Sequence, residues 1–397
     1  MSCCLPSQIT KSLKRLYFDA SRTGDLQSCL SPEIQVLVAC ARTSPIPWKI
    51  QQLLTVDLDW QRILDLAIDY ELAPLLYFNL RKLGPSRLIP SEIVERLKSL
   101  YKQDWLAAMN AFARVEEILL TFSRQETQVI VLKGAALASL IYPSVALRPM
   151  VDLDLLVRAT DLDRADDNLR RLGYVVDESY QSQEWYKERH HHLAPYMAPD
   201  RFLTVELHHH VVSPLRAVKI PIDEFWRRAQ PAQIASASAL VLAPEDLLLS
   251  TCVHLSLGKC FAGVLRDLCD IAETLALYRG VMNWDHLVRQ ARAYQAEKCL
   301  YYSLWLAQSL TQVRLPTHLL ENLEPEMDNA AIEDICLKFL IPRAVFFDSS
   351  SIPSWAITES ITELLRPREV RSASEMISKW LRQHFARFAT QRTAKRK

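Results

Sequence analysis

The chain has 397 residues, of which 49% are apolar and 23% charged, with a net charge of +1 at neutral pH. That is an ordinary globular composition with room for two or three domains, and no global positive field draws nucleic acid or a membrane. Nine scattered cysteines, an odd count without regular spacing, argue for a reducing cytoplasmic setting and against a disulfide scaffold.

The N-terminus has no apolar leader-like segment, and no run reaches the roughly 18 apolar residues of a membrane span. Only seven glycines occur, so a mostly helical protein is expected and each glycine marks a position of interest.

Residues 1–115 read as a helical region. Ile34–Ala41 is apolar on one face, and Asp59–Tyr70 carries apolar residues at steps of three and four. Pro74, Gly84-Pro85 and Pro90 punctuate the loops. Ser91 reads as an N-cap before acidic Glu92, opening a long helix to about Ser123.

Residues 116–230 hold the chemistry. Val129–Leu132 is a buried strand that runs into a turn at Lys133-Gly134. Ala135–Tyr142 is a helix stopped by Pro143, and Pro149 punctuates the return. Val151–Val157 is a second strand, in which Asp152 and Asp154 share one face while Val151, Leu153 and Leu155 point into the core. Asp161–Leu172 is a helix closed by Gly173, and Tyr174–Val176 is a strand. His190–Met197 and Arg201–His208 form a hairpin turning at Ala198-Pro199-Asp200, with Thr204, Glu206 and His208 on one face. Glu206 is expected beside the Asp strand, facing the same cavity.

Residues 231–397 read as helical again, with a basic tail from Arg382 to Lys397 that is expected to be a solvated terminus. Pro244-Glu245-Asp246 opens a helix through Leu257. Further helices are expected over Gly263–Arg279, Trp284–Ala296, Lys298–Val313, Asn329–Leu340 and Ser372–Phe388, with a loop or linker over Arg343–Arg368.

Leu132-Lys133-Gly134, Tyr142-Pro143, Arg148-Pro149, Asp152–Val157 and Val205-Glu206-Leu207-His208 together resemble the bacterial uncharacterised nucleotidyltransferase family. That family belongs to the DNA polymerase beta-like nucleotidyltransferase superfamily. The resemblance is good over Ile118–Val212 and weaker in the flanks, where it includes Leu265–Ala272 and singles out Asp270. It implies an α+β fold, a mixed-sheet core flanked by N- and C-terminal helical regions. It also implies that Glu206 is the third carboxylate of a metal site with Asp152 and Asp154. The superfamily usually has Gly-Ser or Gly-Gly at the turn. This chain has Gly134-Ala135, which removes a hydroxyl that would touch phosphate.

The expected reaction is Mg²⁺-dependent transfer of an NMP, AMP from ATP by default, to a hydroxyl or amine. The acceptor is a small molecule, a peptide or a protein. Asp152, Asp154 and Glu206 suit two Mg²⁺ ions, which take oxygen ligands and bridge entering and leaving oxygens. The Gly134-Ala135 turn offers backbone N–H groups to a triphosphate. Lys133 and Arg148 are candidate phosphate cations, Arg148 for a bidentate grip, and His208 lines the nucleotide cleft. Two rival readings stay open. One is a non-catalytic nucleotide-binding or regulatory module on the same fold. The other is a Zn²⁺ or Fe²⁺ enzyme using Glu206 with His190–His192 and His208–His210. Cys252, Cys260 and Cys269 are read as buried structural cysteines.

Overall fold

A computed structural model describes residues 30–84, 87–213, 216, 218–325, 340–345, 361, 364 and 365. The expected helices Asn329–Leu340 (Leu340 apart) and Ser372–Phe388, and the basic tail, lie outside them. Among the described residues four helices come first: α1 (Pro32–Cys40), α2 (Pro47–Leu53), α3 (Trp60–Asp69) and α4 (Ala73–Lys82). Ser31, not a hydrophobic residue, caps α1 by accepting from the Ile34 amide, and Asp59 caps α3 in the same way at Arg62.

The 34-residue α5 (Ser91–Arg124) follows. At 1.5 Å per residue it is about 50 Å long, enough to serve two cores. Its start, Ile93 and Leu97, packs with Ile63 and Leu76 of the N-terminal helices. Its end, Val115, Ile118 and Phe122, packs on the sheet. The residue before the helix is Pro90, with Ser91 already inside and no side-chain cap, so the expected Ser91 cap is not formed.

The sheet is mixed and seven-stranded, in the order β3-β4-β5-β2-β1-β7-β6. Its strands are β1 (Val129–Val131), β2 (Asp152–Val157), β3 (Val175–Val176), β4 (Tyr196–Met197), β5 (Thr204–His208), β6 (Gln230–Ile234) and β7 (Ala237–Val241). The connecting helices are α6 (Lys133–Leu140), α7 (Leu162–Arg171), α8 (Gln183–Arg189) and α9 (Ile222–Arg228). β1 and β2 are antiparallel, whereas β2 and β5 are parallel.

The two sheet faces meet different layers. Leu153, Leu155, Val205 and Leu207 pack against α5 and α7. Ile130 and Leu156 join a larger core with the C-terminal helices α10 (Pro244–Val253), α11 (Leu265–Tyr278), α12 (Trp284–Ala293) and α13 (Glu297–Thr311). The acidic face of β2 is thus turned toward the C-terminal layer. Two short helices, α14 (Leu319–Leu323) and α15 (Ile341–Val345), follow among the described residues. Within the expected loop over Arg343–Arg368, Ala344, Val345, Ile361, Leu364 and Leu365 are buried in this core.

Three local expectations are corrected. Val151 stands 70% exposed just before β2 and is no core residue. The chain after residue 230 is not helical at once: β6 and β7 form a hairpin whose β7 pairs in parallel with β1, Ile130 to Leu240 and Val131 to Val241. The sequence QPAQIASASALV has weak strand propensity, and pairing with β1 overrides it. Pro231 is tolerated because β6 is the edge strand. The third concerns α10, which ends at Val253 and passes into a single π-turn over His254–Gly258 before the chain leaves the helix.

Candidate functional site

Pairing fixes the site. β2 and β5 run in parallel register, with Asp152 opposite Thr204, Asp154 opposite Glu206 and Leu156 opposite His208. Neighbouring strands lie about 4.8 Å apart and alternate residues share a face, so Asp152, Asp154, Glu206 and His208 gather on one side of the sheet. β1 completes the frame through the Leu132 amide, which donates to the Asp154 carbonyl at 3.0 Å.

Asp154 is the centre. It is 2% exposed, and its Oδ1 accepts from Lys133 Nζ at 2.8 Å and lies 2.7 Å from His208 Nε2. The same Nε2 is 3.3 Å from Glu206 Oε2, and His192 Nδ1 is 4.0 Å from that oxygen. Burial works against the charge on Asp154, but Lys133 and His208 hold its carboxyl well below the ordinary range. Glu206 is lowered as well, with burial outweighed mainly by the His208 hydrogen bond. Burial and Lys133 oppose a proton on His208, yet hydrogen bonds to Asp154 and Glu206 raise its pKa above the ordinary value. Asp152 goes the other way: burial and the adjacent Asp154 push it up. His191 is pushed down to about 2, chiefly by burial.

The turn is built differently from the sequence expectation. Lys133 itself takes the left-handed conformation, with φ +40°, as the first residue of α6. Gly134 is needed for close approach: a Cβ there would meet Arg148 Nη1 at 2.6 Å. Arg148 in turn is buried and held by Asp270 on α11, Nη2 to Oδ2 at 2.9 Å and Nε to Oδ1 at 3.3 Å. Tyr142 donates its hydroxyl to Asp270 Oδ1 at 2.8 Å. Arg148 therefore spends its fork on Asp270, and Asp270 is a buried partner of the strand–turn–helix unit. Asp267, also buried, accepts from Lys259 at 2.8 Å. Ala135 is buried in the first turn of α6.

The histidine rings pack against one another at tilted or edge-on angles. An isolated bridge joins His192 to His208, and the rings of His191 and His192 lie 5.3 and 5.2 Å from that of His208. His210 faces away, with Nε2 2.8 Å from the Ile220 carbonyl. Tyr186 of α8 stacks on His190 and His192 at 4.7 and 5.8 Å. The sequence reading passed over α8, although Ser182 before it is a plain N-cap signal, accepting from the Trp185 amide. Cys252, Cys260 and Cys269 are buried, as expected.

Asp154, Glu206 and His208 each offer one donor atom, all within 4.8 Å of one another. Two carboxylates and an imidazole, with Asp154 and His208 buried and Glu206 partly open to solvent, fit one divalent cation. Asp152 is on the same face but outside that set. Among the described residues no helix is long and apolar enough to cross a membrane.

A mixed α+β protein with a carboxylate–imidazole cluster on one sheet face is the class these observations define. The chain belongs to the uncharacterised nucleotidyltransferase family, whose model matches residues 57–312. Family membership supports nucleotidyl transfer in general and implies an NTP substrate. No curated protein and no solved structure matches the chain.

Proposed function

We propose that the protein is a divalent-cation-dependent nucleotidyltransferase on a polymerase beta-like core. It moves an NMP, AMP from ATP, to a hydroxyl or amine of a small molecule, peptide or protein. Residues 116–230, with the β6–β7 hairpin added, form the catalytic core. Residues 1–115 and the helices after it form the walls of the acceptor cleft. A cytoplasmic setting belongs to the same reading. The observation that carries it is the register of Asp154 against Glu206, with Asp152 on the same face and α6 starting beside them.

In this reading Asp154, Glu206 and His208 hold a cation, and Asp152 receives the ion that travels with the triphosphate, Mg²⁺ by resemblance. Such ions supply charge neutralisation of the phosphates. The protein's own groups orient and neutralise. The first turn of α6, from Lys133 to Ala135, presents backbone N–H groups to phosphate oxygens, where a serine hydroxyl is missing. Lys133, 27% exposed at its side chain, is able to reach phosphate as well as Asp154. Arg148 acts through Asp270 and Gly134 to fix that turn.

The test is transfer of label from each α-labelled NTP, with Mg²⁺ or Mn²⁺, in a lysate or extract. Wild type is expected to label a product, and Asp154→Asn to label none while keeping its circular dichroism spectrum. Labelling by the folded Asp154→Asn variant would sink the reading. A non-catalytic nucleotide-binding module is the second reading. The Lys133 ammonium already seated on Asp154 favours it. Nucleotide-dependent thermal shifts with no labelled product or pyrophosphate would select it.

A further inference from the structure

His208 is an unexpected neighbour for a carboxylate pair that serves Mg²⁺. Mg²⁺ takes oxygen ligands almost exclusively, whereas imidazole nitrogen suits first-row transition ions. His208 is also placed as a ligand would be. Its Nε2 faces both carboxylates, 2.7 Å from Asp154 Oδ1 and 3.3 Å from Glu206 Oε2. Its Nδ1 faces the His210 carbonyl at 3.4 Å. A metal-binding histidine commonly donates its second N–H to a backbone carbonyl, which fixes the tautomer and leaves the first nitrogen free for the ion.

The surroundings hold that ring in place. His208 is 1% exposed, its strand is paired with β2, and His192 bridges it from the other side. The rings of His191 and His192 pack against it. Lys133 shares Asp154 Oδ1 with it, so an entering cation competes with an ammonium whose partial exposure leaves it room to withdraw.

We propose that Asp154, Glu206 and His208 form a resident site for a first-row transition ion, different in ligand chemistry from the Mg²⁺ that accompanies a nucleoside triphosphate. The inference rests on the proposed reading of the paired strands as a cation site, and it adds which ion they select and makes His208 a ligand.

Mn²⁺ is the probe. The chelator-treated full chain is titrated with Mn²⁺ and separately with Mg²⁺ by calorimetry, without nucleotide. Pulsed EPR on the Mn²⁺ complex reads coupling to imidazole ¹⁴N. One Mn²⁺ per chain is expected, about tenfold or more tighter than Mg²⁺, with ¹⁴N modulation. His208→Asp, an all-oxygen set, should remove the modulation and bring the two ions within about threefold of each other. His208→Gln, checked for folding by circular dichroism, should remove it too. Equal affinities in wild type, no Mn²⁺ binding, or bound Mn²⁺ without ¹⁴N modulation would each overturn the inference. Transfer with Mg²⁺ and no ¹⁴N signal overturns this inference and leaves the transfer reading standing. A ¹⁴N signal without transfer supports this inference and counts against the transfer reading alone.

Discussion

Lys133 reaches its ammonium to within 2.8 Å of the buried carboxylate of Asp154 from a residue whose own backbone is left-handed. A non-glycine residue at positive φ carries a conformational cost, and such residues cluster where the surroundings demand them. Asp154, Asp152 and Glu206 crowd one sheet face, and Lys133 supplies a neighbouring positive charge.

Lys133→Met removes that charge while keeping most of the side-chain length. Cation binding at the cluster should then tighten by about fivefold, the equivalent of about 1 kcal/mol for a partly exposed pair. Nucleotide transfer should fall, since a phosphate-facing cation is lost. Calorimetry with Mn²⁺ checks the first outcome and the label assay the second. Unchanged Mn²⁺ affinity would mean that Lys133 does not compete for Asp154.

The Asp154–His208 pair predicts a pH dependence. His208 is raised above its ordinary 6.5, so its contribution is complete below that value and fades as pH climbs through the folded-state pKa. Asp154 is depressed below 3.8, so its contribution is present above that value and fades as pH falls further. The pair therefore contributes most between about 4 and 6.5. With chelator present, the melting-temperature gap between wild type and His208→Gln should be widest near pH 5 to 6 and should narrow above 6.5. A gap that stays constant up to pH 8.5 would contradict a charged His208. His191 acts in the opposite sense, because a buried histidine held down at about 2 loses stability as pH falls below 6.5. The difference between variants, not the raw melting point, is the reading.

Gly134→Ala should destabilise by about 1–3 kcal/mol, the usual range for overpacking. The atom in the way, Arg148 Nη1, belongs to a guanidinium tied down by Asp270. Gly280→Ala is the control, since open space surrounds that position and its φ is ordinary. It should be neutral or stabilising by up to about 1 kcal/mol. Urea melts of the two variants decide, and equal midpoints would show that Arg148 gives way freely.

Arg148→Met and Asp270→Leu should each cost about 3–5 kcal/mol, because each leaves the other charge buried and unpaired. The double variant should cost less than their sum by about 1–3 kcal/mol. Additive costs in denaturant melts would show that the pair is not coupled. Tyr142→Phe removes one hydroxyl donor from Asp270 and should cost about 1 kcal/mol.

Much of the fold was legible because it is written in local patterns. Apolar steps of three and four gave α3, the acidic first turn at Glu92 marked the start of the long α5 although Ser91 is not its cap, Gly173 at φ +83° closes α7 where expected, and Pro244 starts α10. The Asp152–Asp154 alternation needs only the two-residue period of a strand. The β6–β7 hairpin was missed because its Ala, Ser and Gln residues have little strand preference of their own; they pair within the hairpin, which β7 anchors to β1 through Leu240 and Val241.

By itself the sequence determined the strand–turn–helix–strand unit, the shared face of Asp152 and Asp154, and the shared face of Glu206 and His208. It also carried the family motifs. Those follow from backbone periodicity, which neighbouring residues decide among themselves. Tertiary structure alone decided that β2 and β5 align Asp154 with Glu206, that His208 inserts between them, and that Arg148 turns to Asp270 122 residues away. Strand register and the pairing of buried charges depend on which distant surfaces exclude water together, and no local period records that.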